Sequence, residues 1–238
     1  MNKPQTANRK LQTADILEIF SSIQGEGPRV GERQIFIRFN NCNLNCNYCD
    51  VPRNIKPANL SVKEIISKIR RLNNGAGHKT VSLTGGEPLL QVEFLKKLLP
   101  ELKRQKYRIY LETNATLPEG LKKILKFVDI ISADMKLPSV TKEKPHWSKH
   151  ANFIRIAHNK DIFIKTVVSR KLKMDDFKKA VSLLKKINPK TPFIIQPAMN
   201  GKKMQISTKR LFKLQSYALG SLKTSLIIPQ MHKILGLR

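Results

Sequence analysis

Between residues 34 and 229, short β-rich runs alternate with amphipathic helical stretches, and few folds accept that order. The runs are QIFIRF (34–39), TVSL (80–83), YRIYLE (107–112), DIISAD (129–134), IFIKTVV (162–168), FIIQ (193–196) and SLIIP (225–229). Ser61-x-x-Glu64 reads as the capping box of a helix with Val62, Ile65, Ile66, Ile69 and Leu72 on one face, and Asn73-Asn74-Gly75 ends it. Further helices are expected at 92–105 with a kink or break at Pro100, at 118–126, irregularly over 142–160, at 174–187 and at 207–219. Such repetition predicts a largely parallel sheet whose faces are covered by helices. About six β-α units are too few to close the usual eight-fold barrel, so the expected fold is α/β: a partial, open parallel β/α barrel in a single domain.

The unusual residues fall where those strands end. The cysteine loop FNNCNLNCNYCD (39–50), TGGEP (84–88), ETN (112–114), ADMK (133–136) and QP (196–197) each follow directly on a strand. In parallel α/β folds the carboxyl ends of the strands build the active site, so five different motifs converge on one rim. That convergence points to an enzyme. All three cysteines of the 238-residue chain, Cys42, Cys46 and Cys49, lie in the first loop with C-x3-C-x2-C spacing. An odd, tightly spaced set favours a metal centre over a disulfide framework. A closed structural zinc site needs four ligands, and the nearest histidine in sequence, His78, lies beyond a predicted helix. An electron carrier ligates all four irons of a 4Fe–4S cluster, whereas three thiolates leave one iron open to a substrate or cofactor.

Composition adds less. Net charge is +28, from 45 Lys plus Arg against 17 Asp plus Glu, and such an excess suits a polyanion partner. The lysines, however, come as pairs along helices (Lys96-Lys97, Lys122-Lys123, Lys178-Lys179, Lys185-Lys186), with no interleaved aromatics to stack bases. They read as solvated faces, and no specific nucleic-acid partner is expected. The first twenty residues lack the apolar stretch of a secretory signal and no later run is long enough to cross a bilayer, so the expected location is the cytoplasm.

C-x3-C-x2-C with Tyr48 before the last cysteine, followed by GGEP at the next strand end, resembles the radical S-adenosylmethionine (SAM) superfamily. Within it, IFSSIQGEGPRVGERQIFIRFNNCNLNCNYCD (19–50), LTGGEPLLQ (83–91), LETNATLP (111–118), DMKLPS (134–139), IIQP (194–197) and IIPQMHKILGLR (227–238) are similar, in order and over nearly the whole chain, to the 7-carboxy-7-deazaguanine synthase family. QGEG and PQxHK are the discriminating pieces. The resemblance implies a radical SAM type of open barrel in which Cys42, Cys46 and Cys49 ligate a 4Fe–4S cluster and SAM chelates the open iron. Cleavage of SAM would give a 5′-deoxyadenosyl radical, so no side chain is the catalytic group. The implied substrate is 6-carboxy-5,6,7,8-tetrahydropterin, converted with loss of ammonia to 7-carboxy-7-deazaguanine on the route to queuosine-type nucleosides.

The same resemblance implies SAM contacts from Tyr48, Gly86, Glu87, Glu112, Asp134, Lys136 and Gln196, with Gly85 and Gly86 letting the backbone approach the methionine moiety. It implies substrate contacts from Ile23, Gln24, Gly25, Arg38, Thr84, His232 and Arg238. Residues 1–33 would be a substrate-binding extension, and 34–238 a core whose C-terminal tail closes over the substrate. Arg38 would pair in bidentate fashion with the substrate carboxylate. A low-potential donor such as flavodoxin or ferredoxin, no membrane, and a homodimer are also implied. One departure bears on cofactors: the family places threonine after Cys-Asp, at a magnesium site, and Val51 stands there. Its side chain has no oxygen for a hard cation. Either Asp50, the Val51 backbone carbonyl and water hold magnesium, or the chain uses none. Two alternatives stay open at this point. One is a glycyl-radical-enzyme activase, which shares the cysteine spacing but has no need of QGEG or PQxHK. The other is a basic RNA-binding module whose cysteines bind zinc.

Overall fold

The computed structural model describes residues 13–51 and 55–237. Its strands are β1 (Thr13–Ile23), β2 (Arg33–Phe39), β3 (Ala58–Ser61), β4 (Thr80–Gly85), β5 (Arg108–Thr113), β6 (Ile130–Asp134), β7 (Asp161–Val168), β8 (Phe193–Pro197), a small hairpin of β9 (Met199–Asn200) and β10 (Lys203–Met204), and β11 (Ser225–Ile227). The helices are α1 (Val62–Asn73), α2 (Val92–Arg104), α3 (Pro118–Ile124), α4 (Pro138–Thr141), α5 (Trp147–Ala157), α6 (Met174–Ile187), α7 (Thr208–Leu219) and α8 (Met231–Leu235).

Among the described residues, nine strands form one sheet in the order β11-β8-β7-β6-β5-β4-β2-β1-β3. All neighbours from β2 to β11 are parallel, so seven parallel strands are joined by six helical crossovers. The order is linear, and this is the open barrel of about six units that the alternation predicts. Two strands of this sheet were not predicted. β1 pairs antiparallel with β2, and β3 antiparallel with β1, extending the sheet on one edge. β1 escapes a pattern search because Asp15, Glu18, Ser21 and Ser22 interrupt its apolar residues, and because its register shifts between Ile16 and Glu18.

The capping box forms: the Ser61 hydroxyl accepts from the Glu64 N–H, and the Glu64 carboxylate accepts from the Ser61 N–H at 2.8 Å. Ile65, Ile66 and Ile69 of α1 are buried as its periodicity requires. Pro100 does not break α2, which runs on to Arg104. The buried face of Phe94, Leu95, Leu98, Leu99 and Leu102 outweighs the ~3 kcal/mol that a proline costs inside a helix. The irregular helix expected over 142–160 forms as α5 in the middle of that segment, with the short α4 just before it. Between them the chain turns at Lys142, whose φ of 64° is left-handed.

The main core lies between the sheet and its covering helices. A second cluster, Tyr110, Ile130, Phe163 and Ile194, fills the inner side of the sheet at β5, β6, β7 and β8. Two residues further along these four strands, and therefore on the same face, stand Glu112, Ser132, Lys165 and Gln196. The barrel interior thus changes from apolar floor to polar rim within one repeat of the pleat. No helix among the described residues is long and apolar enough to cross a membrane.

Candidate active site

A cavity of about 620 Å³ opens at the carboxyl ends of the parallel strands. Register assembles one wall: Glu18 lies opposite Arg38, and Arg38 opposite Thr84. The Arg38 Nε donates to Glu18 at 2.7 Å, and its guanidinium sits 5.4 Å above the Phe20 ring. Thr84 Oγ1 and Gln24 Nε2 both donate to Glu112, at 2.7 and 2.8 Å. Glu18 and Phe20 belong to β1, so the unpredicted strand supplies part of the wall.

The cysteine loop leaves β2 and is held by the glycines of TGGEP. Gly86 N–H donates to the Phe39 carbonyl at 3.0 Å and Glu87 N–H to the Asn41 carbonyl at 2.8 Å. A Cβ on Gly86 would stand 1.9 Å from the Asn41 oxygen, and one on Gly85, at φ 113°, 2.3 Å from the Phe39 oxygen. Whatever else they approach, these glycines are fitted to the root of the cysteine loop. A second brace comes from ETN. Asn114 Nδ2 donates to Asn43 Oδ1 at 2.9 Å and reaches Cys42 Sγ at 3.7 Å. Thr116 closes the ring by donating to Asn114 and accepting from Asn43. Burial pushes the Cys46 thiol up to about 11 and raises that of Cys42.

Deeper in the cavity, two carboxylates face two ammoniums. Lys136 bonds Asp134 at 2.9 Å and approaches the Tyr48 hydroxyl at 3.4 Å. Lys165 pairs with Glu26 and lies 3.5 Å from Asp134, its partner in register. Burial opposes charge on Glu26 and Asp134, yet the lysines hold both carboxyls below their ordinary range. The same pairing overcomes burial to raise both lysines. Glu26 Oε1 also accepts from Gln196 at 3.1 Å and Gln230 at 2.8 Å.

The cavity wall includes Cys42, Cys46 and Cys49, Ile23, Gln24, Gly25, Arg38, Thr84 and His232, and also Tyr48, Gly86, Glu112, Asp134, Lys136 and Gln196. Asp50 and Val51 line it as well. Arg238 lies outside the described residues. Glu87 is a correction. It is 0 % exposed and does not border the cavity, so it has no surface to offer SAM. Its carboxylate instead accepts from Leu89 N, Asn114 N and the Thr113 hydroxyl at 2.8–3.0 Å, tying the TGGEP and ETN loops together. Burial pushes it up to about 7 against those bonds. His78, the nearest histidine for a zinc site, is engaged elsewhere, with Ser21 and Asn73.

Site residues missed in the sequence include Glu26, Lys165 and Gln230. Lys165 carried a signal, a lysine inside the otherwise apolar strand IFIKTVV. Glu26 and Gln230 lay within the two discriminating motifs without being singled out.

Among the described residues no group of three or more His, Cys, Asp or Glu is gathered to hold a single metal ion. The donor set nonetheless suits a cluster with SAM: three thiols on one loop, N–H donors from Leu44 and Asn114 to Cys42 sulfur, and two buried acceptors without a partner among the described residues, Asp134 Oδ1 and Gln196 Oε1. Those acceptors suit a ligand that carries N–H or O–H donors. Magnesium fits poorly, because the Asp50 carboxylate is held by Lys233 at 2.6 Å, with Gln230 at 3.4 Å, and Val51 adds no side-chain oxygen.

Residues 36–194 match the family model described as the radical SAM superfamily. An open parallel β/α barrel with a three-cysteine loop at its rim is the architecture of that class, and the chain belongs to the radical SAM superfamily. Over 94% of its length it is 35% identical to the 7-carboxy-7-deazaguanine synthase of Geobacter sulfurreducens, covering 97% of that protein. Identity is also 35% with the synthase of Archaeoglobus fulgidus, over 94% of this chain and 99% of that one. The chain is therefore a member of the 7-carboxy-7-deazaguanine synthase family. Its fold superposes on the crystal structure of QueE from Escherichia coli with a TM-score of 0.61 at 16% identity, over 97% of this chain and 100% of the other.

Proposed function

We propose that this chain converts 6-carboxy-5,6,7,8-tetrahydropterin to 7-carboxy-7-deazaguanine with loss of ammonia, as a carbon–nitrogen lyase of deazapurine biosynthesis. The observation that carries the reading is the meeting of the QGEG turn with the PQxHK tail across the mouth of the cysteine-lined cavity. Met231 N–H donates to the Gly25 carbonyl at 2.9 Å, and the His232 ring packs against Gly25. These two stretches distinguish the family from other radical SAM proteins, and a glycyl-radical-enzyme activase has no use for either.

When bound, the cluster and SAM supply the 5′-deoxyadenosyl radical that takes a hydrogen atom from the substrate. The chain's residues bind and orient. Cys42, Cys46 and Cys49 hold the cluster, with the Asn43–Asn114–Thr116 ring keeping the loop in place. Tyr48, Gly86, Glu112, Asp134, Lys136 and Gln196 would hold SAM, with Asp134 Oδ1 and Gln196 Oε1 open as acceptors to its donors. Ile23, Gln24, Gly25 and Thr84 meet the flat pterin. Arg38, steadied by Glu18, meets its carboxylate. Burial lowers the pKa of His232, so the imidazole meets the pterin neutral at pH 7. Of the expected extension, the described residues 13–33 form the substrate side of one domain, and the C-terminal tail up to Leu237 covers it. The ammonium of Lys233 at Asp50 takes the place of magnesium. A low-potential flavodoxin or ferredoxin supplies the electron in the cytoplasm, and the working unit is a homodimer.

The test is anaerobic reconstitution followed by SAM, reductant and 6-carboxytetrahydropterin, with mass spectrometry for 7-carboxy-7-deazaguanine and 5′-deoxyadenosine. Both products are expected. 5′-Deoxyadenosine without the deazaguanine would overturn the substrate and keep the class.

A further inference from the structure

Glu26 is placed where three separate parts of the chain need an acceptor. Its carboxylate takes Lys165 from β7, Gln196 from β8 and Gln230 from the start of the tail. One residue earlier, the Gly25 carbonyl takes Met231 N–H, and the Gly25 α-carbon lies under the His232 ring. One residue later, Gly27, at φ 66°, is seated on the Phe163 ring, where a Cβ would stand 2.5 Å from the ring carbons. The turn is therefore keyed into the barrel floor on one side and into the tail on the other, with Glu26 between.

We propose that Glu26 is a positioning residue: it fastens the C-terminal tail over the cavity and so sets His232, while dividing the two buried lysines between two carboxylates. This rests on the substrate reading above only for what His232 meets; the fastening is independent of it. The division matters because Lys165 is already within 3.5 Å of Asp134. Without the charge of Glu26, Lys165 and Lys136 compete for Asp134, and the rim that receives SAM is rearranged. Among the described residues the tail has a second acidic anchor at the cavity edge, Asp50, which holds Lys233 and also lies near Gln230. Gln230 bridges the two carboxylates, so loss of Glu26 leaves Asp50 as the one carboxylate of the pair that still holds the tail.

The experiment is hydrogen–deuterium exchange of cluster-loaded, substrate-free protein, read by mass spectrometry on peptides covering residues 229–237. Wild type, Glu26→Gln and Gln230→Ala are compared, with iron content and circular dichroism establishing that each is folded. A hydrogen bond to a charged group is worth enough that exchange in the tail should quicken about tenfold in E26Q. Q230A, which removes only the tail's side of the contact, should move the same way by less. E26D, keeping the charge, should recover part of the protection. In turnover, E26Q should raise the pterin KM more than it lowers kcat. Unchanged tail exchange in both E26Q and Q230A would overturn the proposal. A wild type that makes no deazaguanine while both variants lose tail protection would remove the substrate and leave the fastening intact.

Discussion

Gly86 and Asn41 are in backbone contact so close that any side chain on residue 86 would overlap the Asn41 carbonyl, at 1.9 Å for a Cβ. The glycine pair of TGGEP is thus a steric condition on the cysteine loop. Gly86→Ala should displace the loop from its brace, at a cost of about 1–3 kcal/mol for overpacking. Iron per chain after reconstitution should fall to less than half that of wild type. Full cluster loading of G86A would show that the loop tolerates the shift.

Glu87 gives the protein a pH signature. Its folded pKa, about 7, lies above the ordinary 4.5, so between these values the folded state holds a proton that the unfolded state has lost. Stability contributed through this group therefore falls as pH rises from 4.5 to 7 and is level above, by up to about 3 kcal/mol. Glu87→Gln removes that slope but turns an amide donor toward the N–H of Leu89 or Asn114, which costs about 1–3 kcal/mol. Denaturant melts of both proteins from pH 4.5 to 8 should show the gap narrowing as pH rises. A constant gap would mean that Glu87 is ionised throughout.

Magnesium should be dispensable. With Lys233 on Asp50 and valine at position 51, chelator and added magnesium should leave turnover unchanged within about twofold. Manganese, followed by electron paramagnetic resonance as a stand-in, should show no site in wild type. A saturable manganese site in wild type would return Asp50 to the role of metal ligand.

Arg38 is set by Glu18 on one side and Phe20 below. Arg38→Lys loses the Nε bond to Glu18 and any two-pronged grip on a carboxylate, so the pterin KM should rise by about ten- to a hundredfold. SAM cleavage in the absence of pterin should be little altered. An unchanged KM would place the substrate carboxylate elsewhere.

The parallel part of the fold was legible because each strand is a short apolar run bounded by turn residues and each helix repeats its apolar positions. The helix expected over 174–187, for example, forms as Met174–Ile187, with Phe177, Ala180, Val181 and Leu184 buried at helical spacing. What stayed hidden depends on partners far away in the chain. β1 is a strand because β2 and β3 pair with it. Pro100 is tolerated because the leucines around it are buried. The cysteines, Arg38, Thr84 and Lys136 were legible because they sit at strand ends, where the topology itself brings them together. Glu87 was misplaced because its motif says that it is near the site, and only three-dimensional packing shows it turned into the wall. Glu26 and Gln230 meet across 204 residues, and nothing local to either reports the other.

That separation has a consequence for how the protein is made. The ribosome delivers the QGEG turn and the cysteine loop first, and Gln230 comes 204 residues after Glu26. At ordinary rates of elongation the interval is roughly ten to forty seconds. Until Gln230 arrives the cysteine loop lacks the tail that later covers it, so the nascent chain can offer its thiols to the assembly machinery before the doorway is complete.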